Sequence, residues 1–193
     1  MKNEIIAQFL NVCKTYETKH LFSTRKSVAL KNFSFDMKRG EIVGLLGLNG
    51  AGKTTIMKLL AGLIFPNSGE ILIGGEVPLL PRTKEKIGFL PELPYFYPYM
   101  TALEILTYYA RLSELKEYKD KINKVIKKVG MQEHVSKKIS EYSKGMMQRL
   151  GLAQSILHEP ELLILDEPVS GLDPLAIHEV RNLIAEINKE GTA

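Results

Sequence analysis

Eight residues constrain this chain more than any others: Gly47-Leu48-Asn49-Gly50-Ala51-Gly52-Lys53-Thr54 satisfies the pattern G-x-x-x-x-G-K-[S/T]. Before it, Glu41-Ile42-Val43-Gly44-Leu45-Leu46 is a nearly unbroken apolar run, expected to be a central strand covered on both faces. After it, Thr54 to Leu63 reads as a helix. A strand, a glycine-rich loop and a helix in that order imply an α/β fold with a mostly parallel sheet. The glycines let consecutive backbone N–H groups turn inward as an anion nest, and the helix N-terminus adds the positive end of its dipole. Lys53 can neutralise the outer phosphates of a nucleotide, and the Thr54 hydroxyl can bind Mg2+. Gly47, Asn49, Gly50, Ala51, Gly52, Lys53, Thr54 and Thr55 are therefore the expected cradle of a nucleoside triphosphate.

A second constellation completes the chemistry. Leu162-Leu163-Ile164-Leu165 is an apolar strand that delivers Asp166 and Glu167 at its C-terminal end, where ligands of such sheets bind. Asp166 is expected to hold Mg2+ through water, and Glu167 to orient or deprotonate the water that attacks the γ-phosphate.

Between these motifs the hydrophobic period changes. Ile5 to Leu10 and the alternating Phe33, Phe35 and Met37 suggest an opening β part, with short strands at Gly69 to Ile73 and Ile87 to Leu90. Ala102 to Leu115, Lys119 to Val129 and Gly145 to Leu157 then read as helices, and Pro174 to Lys189 as a last helix with Pro in its first turn. The expected organisation is one domain over residues 1–193, with 1–90 and 152–193 forming an ATPase core with a β part and 91–151 a helical insertion. Uncharged runs stop at eleven residues, short of the roughly 18 needed for a membrane span. Met1-Lys2-Asn3-Glu4 does not open a secretory signal, and the lone Cys13, a small hydrophobe near a strand, fits a reducing cytoplasm.

The net charge of +4 is too small to suggest a nucleic-acid partner, but it is unevenly spread. Arg111 to Arg149 carries eleven basic and five acidic residues, a surplus of +6 that leaves −2 for the rest. A solvated helix face and a surface turned to anionic lipid headgroups both account for it.

Tyr142-Ser143-Lys144-Gly145-Met146-Met147-Gln148-Arg149-Leu150, shortly before Leu162 to Glu167, separates this chain from other phosphate-loop proteins. It resembles the signature sequence of the ATP-binding subunits of ABC transporters, with Tyr142 to Met146 at the five signature positions and Ser170-Gly171-Leu172-Asp173 matching the loop after the catalytic Glu. The resemblance covers nearly the entire chain. It implies that Tyr16 stacks on adenine, that Glu167 and Lys53 are catalytic, and that Gly88-Phe89-Leu90-Pro91-Glu92 meets a membrane-spanning subunit. Ser143 and Gly145, a hydroxyl and a glycine at a helix N-terminus, fit a second anion site, which the resemblance turns toward the ATP of a second ATP-binding subunit in a head-to-tail dimer. Thr54, Glu92 and Asp166 are the implied Mg2+ ligands. The implied location is cytoplasmic, peripheral on the inner face of the cell membrane.

Three departures stand out. Lys144 and Met146 replace the usual first glycine and the glutamine of the signature, and Glu92 stands where most members carry Gln. Leu90-Pro91-Glu92 together with this signature resembles the branch serving exporters with separately encoded membrane subunits. The family also carries a further strand and a switch histidine, which suggests a C-terminally truncated cassette; His178, inside the last helix, is not that residue. Finally, Tyr95, Tyr97, Tyr99, Tyr108 and Tyr109 place five of the eight tyrosines in fifteen residues. Pro94 and Pro98 prevent a regular helix there, so several of these rings are expected on an exposed loop facing the membrane subunit, with core packing as the competing account. A soluble, non-transport ABC-type ATPase is the alternative function; it usually brings tandem cassettes or a long coiled coil. The transported substrate and the direction of transport stay open.

Overall fold

The computed structural model describes residues 4–20 and 23–193, which divide into two compact units, Met1–Ile87 with Ala193, and Gly88–Thr192.

The first unit is built on a long antiparallel hairpin of β1 (Ile5–His20) and β2 (Ser23–Lys38), with β3 (Ser68–Ile73) on the other edge of β1. Ala7 pairs with Met37 on one side and Ile73 on the other, and Phe9 with Phe35 and Ile71, so β1 is the central strand. Its register shifts between Phe9 and Val12, where Asn11 takes a left-handed φ of 49°. Helix α1 (Lys53–Leu60) lays Ile56 and Leu59 over Phe9, Val12, Leu30 and Ile71. Such burial supplies the hydrophobic free energy of the unit, about 25 cal/mol per Å² of apolar surface.

Helix α1 ends three residues earlier than its apolar pattern suggests. Gly62, at φ 63°, lets its own N–H reach Leu59 O (3.1 Å) while Leu63 N–H reaches Lys58 O (2.9 Å), a Schellman closure. A side chain at Gly62 would also collide with Pro78 O, 2.6 Å from a Cβ placed there. The four-residue α2 (Pro81–Lys84), opened by its proline, is too short for a periodicity to reveal it.

The expected strand at Glu41 to Leu46 is not formed: residues 41–48 have no regular structure. An apolar run becomes a central strand only when neighbours hydrogen-bond both edges and layers cover both faces. Ile42 is 60% exposed and Leu46 96%, so this segment gains neither, although Leu45 packs against the core of its unit.

The second unit pairs β4 (Ile87–Leu90) with β5 (Leu162–Leu165). Asp166 N–H donates to Leu90 O at 2.9 Å, so the C-terminal ends of the strands lie side by side, as in a parallel pair. Their crossover is the helical block α3 (Ala102–Leu112), α4 (Tyr118–Lys128) and α5 (Lys144–Ile156), and α6 (Pro174–Lys189) follows β5. Two 3₁₀ turns, Gln132–His134 and Ile139–Glu141, carry the chain from α4 to α5. One core joins Leu90, Ile105, Leu106, Ile122, Leu150, Leu152, Leu183 and Ile187. Together with the antiparallel β part, this is the α/β phosphate-loop architecture expected from the sequence.

The basic surplus is partly spent inside this unit. Lys121 and Lys124 both pair with Glu159, at 2.8 and 3.7 Å, and Lys128 pairs with Glu190.

Candidate functional site

The loop from Gly47 to Thr54 enters α1 directly, with Gly52 as the cap residue at φ 92° and no side chain capping the helix. The first N–H groups of α1 therefore have no side-chain acceptor, and its first turn carries no acidic residue. Ala51 N–H closes a turn on Leu48 O at 3.1 Å, and Ile56 N–H reaches Gly52 O at 2.9 Å, starting the helical ladder. Lys53 Nζ donates to the carbonyls of Gly47 (2.7 Å) and Leu48 (3.2 Å), which wraps the lysine stem around the loop. Thr54 is exposed, while Thr55 is buried beneath the turn. Gly52 runs so close to β2 that a Cβ there would lie 2.7 Å from Ala29 O.

Tyr16 stands beside this helix start. Its hydroxyl lies 3.3 Å from Thr55 Oγ1, its ring is partly exposed, and Lys14 Nζ sits 5.3 Å from the ring centroid. Lys14 is a member of this group that the sequence reading did not single out; the alternation of Lys14 and Tyr16 on one strand face was the available signal.

In the second unit, Asp166 and Glu167 follow β5 directly. Asp166 is buried, with 7% exposed, whereas Glu167 is exposed and held at a left-handed φ of 51°. That conformation is uncommon for a non-glycine residue and carries strain of roughly 1 kcal/mol. Ser170 N–H donates to Glu167 O at 3.0 Å, folding the following segment back over the glutamate. Glu92 is exposed two residues beyond β4, the strand whose Leu90 O accepts from Asp166. Among the described residues, no three His, Cys, Asp or Glu side chains gather as an all-protein metal cage.

Ser143 caps α5, its Oγ accepting from Met146 N–H at 3.2 Å. That bond uses a lone pair, so the hydroxyl proton stays available to a further acceptor. Gly145 follows inside the first turn, and a Cβ there would be 3.9 Å from Leu172 Cδ2. Further along α5, the Arg149 guanidinium donates to Val129 O at the end of α4 (2.8 Å) and pairs with Glu179 of α6.

The aromatic segment divides cleanly. Phe96 is buried and packs edge-on against Tyr109, whose phenol is pushed above its ordinary pKa by burial. Tyr95 is 83% exposed, and Tyr97 and Tyr99 lie ring to ring at 5.7 Å on the non-helical segment before α3, with Tyr108 edge-on to Tyr97.

A phosphate loop opening an uncapped helix, adjacent carboxylates at a strand end and a serine-capped helix define a phosphate-loop protein of α/β class. The ABC transporter family profile matches residues 30–170, and the chain belongs to that family, among its ATP-binding subunits. It is 48% identical over 181 residues to the ABC transporter ATP-binding protein YxlF of Bacillus subtilis, covering 93% of this chain and 58% of that protein. It is 43% identical over 182 residues to the bacitracin transport ATP-binding protein BcrA of Bacillus licheniformis, again covering 93% of this chain and 58% of the relative. The chain thus spans little more than half the length of these relatives. Among solved structures, an ATP-binding subunit of an ABC transporter is 30% identical with a TM-score of 0.79, over 97% of this chain and 76% of the other. The Clostridium perfringens cbiO1 structure, described as part of the ABC transporter complex cbiONQ, is 27% identical with a TM-score of 0.80, over 97% and 75%.

Proposed function

We propose that this chain binds MgATP and, paired head to tail with a second ATP-binding subunit, hydrolyses it to drive a membrane-spanning partner, in the direction of export. The observation that carries this reading is the Gly47 to Thr54 loop, which opens onto a helix start with no capping side chain and no acid in its first turn. Such a terminus accepts an anion through backbone N–H groups and the helix dipole. Lys53 leaves its carbonyl contacts to meet the outer phosphates, and Tyr16 offers its partly exposed ring to adenine.

Thr54, Asp166 and Glu92 supply hard oxygen donors, which suit Mg2+. Mg2+ is usually held by one or two carboxylates together with substrate phosphates, so these side chains would share the ion with the nucleotide. Bound there, the ion would neutralise charge on the phosphates. Glu167 orients the attacking water, while Ser143 and Gly145 face the ATP of the partner subunit. The exposed Tyr95, Tyr97 and Tyr99, with the Glu92 loop, are the face offered to the membrane subunit in this reading, with the chain peripheral on the cytoplasmic side. Within this scheme residues 91–151 act as a helical insertion in an ATPase core of 1–90 and 152–193. Export rests on the likeness of Leu90-Pro91-Glu92 and the Ser143 to Met146 signature to the exporter branch. The substrate is chosen by the membrane subunit.

Equilibrium binding of a fluorescent ATP analogue, together with phosphate release measured against Glu167→Gln, tests the proposal. Wild-type binding lost in Lys53→Ala is the expected result, and equal binding by both proteins would overturn it.

A further inference from the structure

Asn49 and Gly50 stand together at the tip of the phosphate loop, and of the asparagines in the chain only Asn49 is followed by glycine. Both residues are exposed, in a turn between the irregular stretch 41–48 and helix α1. Among the described residues, neither the Asn49 side chain nor the Gly50 N–H has a hydrogen-bond partner. Gly50 adopts a left-handed φ of 84°, and a Cβ placed on it would meet nothing within 4 Å, so no neighbour packs against this glycine.

Three other asparagines of the same unit are held. Asn67, followed by Ser68, accepts from Thr15 N–H through Oδ1 at 2.6 Å and donates its own N–H to Cys13 O at 2.8 Å. Asn11 Oδ1 accepts from Ser34 Oγ at 3.2 Å, and Asn32 Oδ1 from Cys13 Sγ at 3.1 Å. A side chain tied in this way must first break its bond before its amide carbon can turn to the next backbone nitrogen. Asn49 has no such bond to break.

We infer that Asn49 is a modification site at which the empty loop deamidates itself, and that a bound nucleotide protects it. The Gly50 nitrogen loses its proton to base and attacks Asn49 Cγ; the Cγ–Nδ2 bond breaks, and ammonia leaves with a proton taken from water. The five-membered imide that results is opened by water at either carbonyl, giving aspartate or isoaspartate. The net change is water in and ammonia out, with nothing oxidised or reduced. Either product puts a carboxylate next to Leu48, whose carbonyl accepts from Lys53 Nζ at 3.2 Å. A negative charge there opposes phosphate in a loop suited to anions, and isoaspartate also adds a carbon to the main chain and so shifts the spacing of the N–H groups. The loss of nucleotide binding and the protection rest on the ATPase reading above; the conversion itself does not.

The test incubates wild-type protein without nucleotide in mildly alkaline buffer, digests it rapidly with trypsin and follows the peptide 40–53 by mass spectrometry for the exchange of amide for acid. Enzymatic methyl transfer to isoaspartate is the second readout. Conversion at Asn49 should outrun that at Asn67 by about tenfold or more and should rise with pH, because the Gly50 nitrogen reacts once its proton is lost. A non-hydrolysable ATP analogue with Mg2+, at about ten times its dissociation constant, should slow the conversion about tenfold. Asn49→Asp, which installs the carboxylate at once, should weaken binding of the analogue about 100-fold. An Asn49 that converts no faster than Asn67 overturns the site. Conversion that the bound analogue does not slow overturns the protection, and Asn49→Asp binding as tightly as wild type overturns the effect on the nucleotide. A wild type that binds no analogue overturns the ATPase reading and the protection with it, while conversion without nucleotide still decides the chemistry at Asn49.

Discussion

The phenol oxygen of Tyr16 on β1 lies 3.3 Å from the hydroxyl oxygen of Thr55, the third residue of α1 and 39 positions away in the chain. The strand and the helix that follows the phosphate loop are thereby linked through the ring expected to meet adenine. A ring fixed at its hydroxyl loses little rotational freedom when a base stacks on it, which lowers the entropic cost of binding.

Graded losses of ATP affinity follow from that link. Tyr16→Phe keeps the ring and frees it, and should cost about twofold to threefold. Tyr16→Ala removes the stacking surface and should cost about tenfold. Lys53→Ala removes the cation from the outer phosphates and should cost about 100-fold or more. Titration of a fluorescent ATP analogue measures all three, and a Tyr16→Ala loss equal to that of Lys53→Ala would show that the ring does more than stack.

Glu167 carries a second pair of expectations. Its left-handed φ of 51° is strained in a glutamate and relaxed in a glycine. Glu167→Gly should therefore gain about 0.5–1 kcal/mol of stability, raising the melting temperature by about 1–4 °C, while abolishing phosphate release. Glu167→Gln should abolish release with no thermal gain, since it keeps the strain. A glycine variant that melts below wild type would mean that the surrounding turn holds this conformation without strain.

The parts of the fold legible in the sequence are those that one element decides alone. Helix α6 runs from Pro174 to Lys189, as its proline and periodicity suggest, and β4 and β5 match their apolar runs. Glu41 to Leu46 misled because a continuous apolar run states only that cover would be favourable, not that cover is present; Leu46 is 96% exposed. Lys144 over Gly171 could not be read at all, because 27 positions separate them and only the folded turn brings the end of the lysine side chain to the glycine. The glycine-rich turn that enters α1 was legible for the opposite reason, its residues being consecutive.

The start of α3 is sensitive to acid. Thr101 N–H donates to Glu104 Oε2 at 2.7 Å, the Thr101 hydroxyl donates to the same oxygen at 3.0 Å, and Glu104 N–H donates to Thr101 Oγ1 at 3.2 Å. The Thr101 backbone bond, followed by its hydroxyl, holds the Glu104 carboxyl below the ordinary glutamate pKa. A pKa depressed in the folded state means stability that is fully present above the unfolded value and is lost as pH falls through the folded one. Glu104→Gln should flatten that acid limb of the stability curve, and an NMR titration should place the Glu104 carboxyl below an unstructured glutamate. Thr101→Ala should lower stability by about 1 kcal/mol at neutral pH and move the Glu104 titration only part of the way back toward the ordinary range, because the backbone N–H donor at position 101 remains.

The aromatic segment before α3 separates binding from folding one residue at a time. Tyr95 and Tyr99 are 83% and 67% exposed, so replacing Tyr95, Tyr97 and Tyr99 together by Ser removes little packing and should shift the melting temperature by no more than about 2 °C. Phe96 sits among them in sequence but is only 6% exposed, in the core with Leu106 and Leu150, and Phe96→Ala should cost about 3–5 kcal/mol. If the exposed rings are the face offered to a membrane subunit, the triple Ser variant should bind the ATP analogue normally yet fail to co-purify with membrane proteins that wild type retains. The two measurements, melting and membrane co-purification, should therefore move in opposite variants. A triple Ser variant that unfolds like Phe96→Ala would place these rings in the core, and one that still co-purifies would put the docking face elsewhere on the subunit.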